Sequence, residues 1–269
     1  MNTPQRRVAQ FFAGTHFGVD YGAMGEKLDH YCGLIASARY DEACTQFRDD
    51  QSLTNAEKRE IIEAINKTCL FRRGLEWTNH GILGTFRFWN FQDKAEYLRR
   101  ANEIANLVMA EITPHVCFGF GSVLGYVRGR DFIPHDDDMD LIIALPTRAD
   151  IKYSTVKQSL KEVFEREGYR VVGDENLSHL TVARGEFAGT DIFIGFVDPD
   201  DSVSWFPSRR GISRFAEVFP AQWVNWFGVD CPMPADPEKY VAAVYGEDWR
   251  EPIANWNHPW DDTEYRDFL

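Results

Sequence analysis

The sequence predicts an α+β protein, in which a helical N-terminal region precedes a domain of alternating strands and helices. Three observations lead there. Roughly the first ninety residues carry apolar side chains at helical spacing. From Asp93 onward an amphipathic helix is followed by short apolar runs, bounded by Gly or Pro, that alternate with further helices. The chain has 269 residues, 44% hydrophobic and 26% charged, with no internal repeat or low-complexity tract. That is enough for one large domain or two small ones, with no need of disulfides or a structural metal.

The elements follow in order. Tyr21–Phe47 is poor in Pro, and Leu28, Tyr31, Cys32, Ile35 and Ala36 share a helical face. Thr54 followed by Glu57 forms a capping box that opens a helix with Ile61, Ile62 and Ile65 on one side, ended by Gly74. Trp77–Phe91 mixes Gly, Asn and aromatics and is expected to be irregular. Asp93–Ile112 is a helix that Pro114 breaks; Val116–Phe120 and Met139–Leu145 are buried strands; Ser154–Gly168 is a helix. Strands are expected at Tyr169–Val172, Leu180–Arg184 and Asp191–Val197, a hairpin at Trp223–Met233 turning at Gly228, and a last helix opened by Pro237 and closed near Tyr245–Gly246. The boundary is placed between residues 92 and 93. Residues 1–92 are expected to be a helical accessory region without chemistry of its own, because they hold no clustered acids or metal-ligand spacing.

Charge excludes some partners. Lys plus Arg is 29 and Asp plus Glu is 42, a net charge of −13. A surface this acidic repels a nucleic-acid backbone and anionic lipid, so no nucleic-acid partner is expected. The cysteines Cys32, Cys44, Cys69, Cys117 and Cys231 are odd in number and lack CxxC spacing, which points to free thiols in a reducing compartment. The longest run without Asp, Glu, Lys or Arg, Ile112–Val127, contains Pro114 and three glycines and is too short to span a bilayer. Val8–Ala13, after Arg6 and Arg7, is too short for a signal sequence. A cytoplasmic location is expected, with the inner face of the membrane compatible with it.

The stretch that carries chemistry runs from Gly119 to Ile143. Asp136, Asp138 and Asp140 alternate, and alternate residues of a strand face one side about 6.6 Å apart. Two carboxylates about 4 Å apart repel by roughly 4 kcal/mol at an effective dielectric near 20, so a fold that gathers them calls for a cation or a shared proton. An exposed acidic turn after Pro134 is the plainer alternative. Against it, the acids run directly into the apolar strand Leu141-Ile142-Ile143. All-oxygen ligands favour Mg2+ or Mn2+ over zinc. Gly119, Gly121 and Gly125 fit neither a dinucleotide nor a P-loop pattern. A strand, Gly121-Ser122 and a short helix from Val123 would instead offer backbone N–H groups and a hydroxyl to a phosphate, with Arg128 two turns on as a bidentate partner.

Gly121-Ser-Val-Leu-Gly-Tyr-Val-Arg128, with Phe132-Ile-Pro134 and Asp136-Asp-Asp-Met-Asp140, resembles the LicD/fukutin phosphotransferase family of the nucleotidyltransferase-fold superfamily. Tyr245-Gly-Glu-Asp-Trp249, before Pro252, is similar to that family's C-terminal YG-x-x-W element. The resemblance covers about residues 93–252. It implies a nucleotidyltransferase-like mixed sheet flanked by helices, with residues 93–269 as the catalytic domain. It also implies transfer of a phospho-alcohol, such as phosphocholine or ribitol phosphate, from a CDP-linked donor to a hydroxyl of a glycan or glycolipid. His135 stands where the family usually has Trp, and Asp131 where it often has Gly.

The assignments are then these. Asp138 and Asp140 hold Mg2+ or Mn2+, with Asp136 as a further ligand. Gly121, Ser122 and Arg128 hold donor phosphates. The superfamily implies a third carboxylate on a later strand, and Asp191 in Thr190-Asp-Ile-Phe-Ile194 fits, as metal ligand or general base. Asp198, Asp200 and Asp201 are expected to be solvated turn residues. His179 is expected to be structural, and Trp205, Phe206, Trp223, Trp226 and Phe227 to serve packing. Two alternatives stay open: a true nucleotidyltransferase, and a non-catalytic binding protein that keeps the fold.

Overall fold

A computed structural model describes residues 22–148, 151–185, 188–252 and 258–269. The segment Val8–Ala13 and the expected helix start at Tyr21 lie outside the described residues. The chain divides into two compact units, Met1–Phe88 and Trp89–Leu269.

In the first unit the expected long helix is two. α1 (Gly22–Ala36) and α2 (Tyr40–Asp49) are separated by a turn in which Ala38 takes φ 55°. α3 (Asn55–Ile65) opens on the Thr54–Glu57 capping box and continues through a π turn and a 3-10 turn to Gly74, whose φ of 68° ends it. Tyr31, Ile35, Phe47, Ile61 and Ile65 pack between these helices. The stretch after Gly74 is not wholly irregular. β1 (Glu76–Thr78) and β2 (Gly81–Leu83) form an antiparallel hairpin. The Asn66 side chain accepts from the Trp77 amide at 2.7 Å and donates to the Trp77 carbonyl at 3.1 Å, so a strand too short to hold itself is held by the helix.

In the second unit α4 (Phe91–Glu111) starts two residues before the expected Asp93, because Asn90 supplies the cap and Asp93 closes its capping box. Ala95, Leu98, Ala101, Ile104 and Val108 bury one face of this helix. The sheet holds β3 (Val116–Phe118), β4 (Met139–Pro146), β5 (Arg170–Val172), β6 (His179–Ala183), β7 (Thr190–Val197), β8 (Ser202–Trp205) and β9 (Ser213–Arg214). Its order is β3-β4-β7-β6-β5, with β8 pairing the far end of β7 and β9 pairing β8. Only β4 and β7 run parallel; the other pairs are antiparallel, so the sheet is mixed. Helices α5 (Phe120–Gly129), α6 (Tyr153–Arg166), α7 (Phe215–Val218) and α8 (Pro237–Tyr245) flank it. β10 (Gln222–Trp226) and β11 (Val229–Met233) form the expected hairpin at Gly228, whose φ is 77°. This is an α+β architecture, a mixed sheet flanked by helices, as the sequence predicts. Among the described residues, no helix is long and apolar enough to cross a membrane.

The aromatic residues of this unit divide. Trp205 and Trp226 are buried in the core, whereas Trp223 stays 54% exposed on the hairpin. Asp198 corrects an expectation: it is no solvated turn residue, because Arg210 grips it through two N–H groups at 2.7 and 3.0 Å.

Candidate active site

The parallel pair β4–β7 creates the site. Met139 lies opposite Thr190 and Asp140 opposite Asp191 at the point where both strands begin. Strands paired side by side stand about 4.8 Å apart, so acids in register share one patch. Oxygens of Asp138, Asp140 and Asp191 all lie within 4.8 Å of one another. A second group, Asp136, Asp137 and Asp138, meets the same limit, so Asp138 belongs to both. β4 starts at Met139, so strand alternation does not place Asp136 and Asp138; the loop after Pro134 brings them in.

Asp140 is 9% exposed, and its carboxyl is pushed well above the usual range. Burial is the largest cause, followed by the charges of Asp138, Asp136 and Asp191; the Gly121 amide opposes the shift. The neighbouring phenol of Tyr245 is raised well above its usual value, by desolvation first and by Asp140 next. A buried carboxylate surrounded by carboxylates is favourable when it is protonated or shares a cation. The donor set is all oxygen, the preference of Mg2+ or Mn2+. The residues therefore fit such an ion.

The glycine-serine segment stands beside these acids and serves them. α5 begins at Phe120, three residues earlier than expected, so Gly121 and Ser122 lie in its first turn. The Gly121 amide donates to Asp140 Oδ2 at 3.0 Å. A Cβ at Gly121 would stand 2.7 Å from Asp136 Oδ2 and 3.4 Å from Asp140 Oδ2, so only glycine lets both acids approach. Ser122, 5% exposed, accepts from the Asp140 amide at 2.9 Å, with its hydroxyl also against the Met139 sulfur. Both residues position Asp140 in this structure, where the sequence suggests phosphate donors. Arg128 departs further from its expected role. Its guanidinium donates to the Trp249 carbonyl, from Nε at 2.7 Å and also from one terminal nitrogen. That nitrogen reaches the Glu251 carbonyl at 3.4 Å. The planar fork thus clamps the Tyr245–Trp249 element onto α5.

Three residues outside the expected set complete the site. Phe120 has φ 35°, a strained value for a side chain of its size. Its amide donates to the buried Tyr240 hydroxyl at 3.0 Å, which fixes the turn from which Gly121 reaches Asp140. Tyr97 of α4 reaches the beginnings of β4 and β7, accepting from the Met139 amide at 3.1 Å. None of these contacts has a local sequence signature. His179 donates nothing to the acids. It stacks on Phe193 at 4.7 Å, accepts from Asn176 at 2.8 Å and is lowered to about 4, chiefly by desolvation. Asp131 pairs with Lys94 at 2.5 Å, and His135 is exposed.

The LicD/FKTN/FKRP nucleotidyltransferase-domain model matches residues 115–236, a span that opens just before β3 and contains the whole acid cluster. Residues 115–236 are thus similar to the LicD/fukutin family. The ribitol-5-phosphate transferase fukutin of Mus musculus is 23% identical over 177 residues, covering 62% of this chain and 37% of the relative. The Macaca fascicularis fukutin is 23% identical over 143 residues, covering 51% of this chain and 30% of the relative. The chain thus spans about a third of the length of these LicD/fukutin relatives. Among solved structures, a lincomycin-bound lincosamide antibiotic adenylyltransferase overlaps loosely, with a TM-score of 0.34 and 12% identity over 63% of this chain and 92% of that one.

Proposed function

We propose that the protein is a metal-dependent phosphotransferase that moves a phospho-alcohol from a CDP-linked donor to a hydroxyl of a glycan or glycolipid, releasing CMP. The observation that carries the metal half of this reading is Asp140, a buried carboxylate pressed by three others. The family of residues 115–236 and the fukutin relatives support the donor class.

In this reading Asp138 and Asp140 hold Mg2+ or Mn2+, with Asp191 completing the set and Asp136 reaching it through Asp138. A bound divalent ion neutralises phosphate charge during an in-line transfer. The chain's own residues do the rest. Gly121 and Ser122 fix the Asp140 carboxylate through its oxygen and its amide. Asp191 is oriented by the Thr181 hydroxyl, which donates to it at 2.6 Å. Its other oxygen is the group to hold the ion or to accept the proton of the attacking hydroxyl. Arg128 ties the Tyr245–Trp249 element to the last turn of α5.

Incubation with a panel of CDP-alcohols, a glycan acceptor and Mg2+ tests the reading. CMP release that requires the acceptor supports it. Pyrophosphate release from a nucleoside triphosphate would make the protein a nucleotidyltransferase instead, and no product with any donor would leave a binding protein of this fold.

A further inference from the structure

Tyr97 carries an inference that the motif residues do not. It stands 42 residues before Met139, on α4, and its ring is 1% exposed and packed on Trp89 at 5.3 Å between centroids. Its phenol oxygen donates to the Gly189 carbonyl and accepts from the Met139 amide at 3.1 Å. Met139 and Thr190 are register partners in the parallel pair, so the Met139 amide and the Gly189 carbonyl face each other where the ladder begins. The hydroxyl bonds to both. The Thr190 side chain also bonds to it. The three backbone positions so tied flank the acids: Asp138 and Asp140 lie on either side of Met139, and Asp191 follows Thr190.

We propose that Tyr97 sets the spacing of Asp138, Asp140 and Asp191 by holding the first residues of β4 and β7 apart by one hydroxyl, and is thereby a positioning residue for the divalent cation. This rests on the reading of the acids as a cation site. The phenol suits the task. Burial, with the charge of Asp138 next, keeps it protonated far above neutral pH, so it remains both donor and acceptor. Without it, the amide and carbonyl would close to a direct bond of about 2.9 Å, drawing the carboxylates together.

The test is calorimetric titration of Mn2+ into the full chain, as wild type, Tyr97→Phe and Leu98→Ala, beside thermal unfolding without metal. Leu98 is a fully buried neighbour on the same helix and serves as the stability control. Tyr97→Phe is expected to weaken Mn2+ binding by about 10–100-fold, the usual effect of removing a group that orients ligands. Leu98→Ala should lower the unfolding midpoint and leave the affinity unchanged. Equal affinity in wild type and Tyr97→Phe overturns the proposal alone, as does equal weakening in Leu98→Ala. Absence of Mn2+ binding by wild type overturns the cation reading and the proposal with it. If Tyr97→Phe does not fold, Thr190→Val is titrated in its place. A several-fold loss is then expected, and wild-type affinity counts against the proposal.

Discussion

Glu76 in the first unit and Asp140 in the second are both buried acids, 5% and 9% exposed, and they are treated in opposite ways. Glu76 is matched. Arg87 donates to its two oxygens at 2.9 Å each, and the Thr85 hydroxyl adds a third bond at 2.8 Å. Asp140 receives one backbone amide, and the charges acting on it are those of Asp136, Asp138 and Asp191. A matched buried acid belongs to folding. A buried acid set among its own kind is an expense of the fold that protonation or a bound cation offsets. Asp50 shows the first pattern on a more exposed site, where Lys27, Ser52 and Tyr31 hold its carboxyl far below the usual range.

The contrast breaks most sharply by substitution. Asp138→Ala or Asp140→Ala should reduce CMP release by about a thousandfold or more while the metal-free protein unfolds at an unchanged or higher temperature, because repulsion is relieved. Glu76→Ala should do the reverse, costing about 2–3 kcal/mol in urea unfolding with turnover per folded molecule kept. Arg87 is partly exposed, so it is spared the full cost of a stranded charge. A stability loss in Asp140→Ala like that in Glu76→Ala would erase the distinction between the two sites.

Asp191→Asn keeps size and most hydrogen bonding but removes charge. Turnover should fall about a hundredfold or more, with donor binding partly kept, as measured by kcat and KM separately. Wild-type rates would leave Asp191 as a strand-start residue tied to Thr181. A smaller effect is expected of Arg128→Lys. Lys cannot span the Trp249 and Glu251 carbonyls as the fork does, so the loss is about 1–2 kcal/mol, read as earlier proteolysis of the chain beyond Tyr245.

These expectations show what the sequence could and could not carry. Helix starts with side-chain caps, the turn at Gly228 and the Pro237 opening are local, and they were legible because a cap or turn is made by residues a few positions apart. The clustering of Asp136, Asp138 and Asp140 was legible for the same reason. What Gly121, Ser122 and Arg128 touch was not. A residue type states which bonds a side chain can make, whereas the partner depends on a register set by β4 and β7, fifty residues apart in the chain. Arg128 finds its partner across 121 residues. Tyr97 lies in an ordinary amphipathic helix, with nothing near it in sequence to mark its hydroxyl. The β1–β2 hairpin has no sequence signature because its strands are three residues each and depend on Asn66.

The contrast also has a pH signature. Asp140 is raised in the folded chain, so the metal-free protein should lose stability as pH climbs from the unfolded carboxyl value near 4 through the raised one. His179 and His258 work oppositely. Both are lowered to about 4, so their contribution is complete above about 6.5 and is lost as pH falls toward 4. Asp140→Asn should flatten the fall of stability with rising pH.

The most direct measurement of the central claim is the unfolding midpoint of wild type and Asp140→Asn at pH 7.5 over a Mn2+ titration. The account predicts that wild type begins lower and rises by about 5–10 °C when the ion reaches a hundred times its dissociation constant, while Asp140→Asn begins higher and stays nearly flat. A wild-type midpoint that ignores the ion, or a parallel rise in both proteins, would contradict the assignment of Asp140 and its neighbours to a divalent cation.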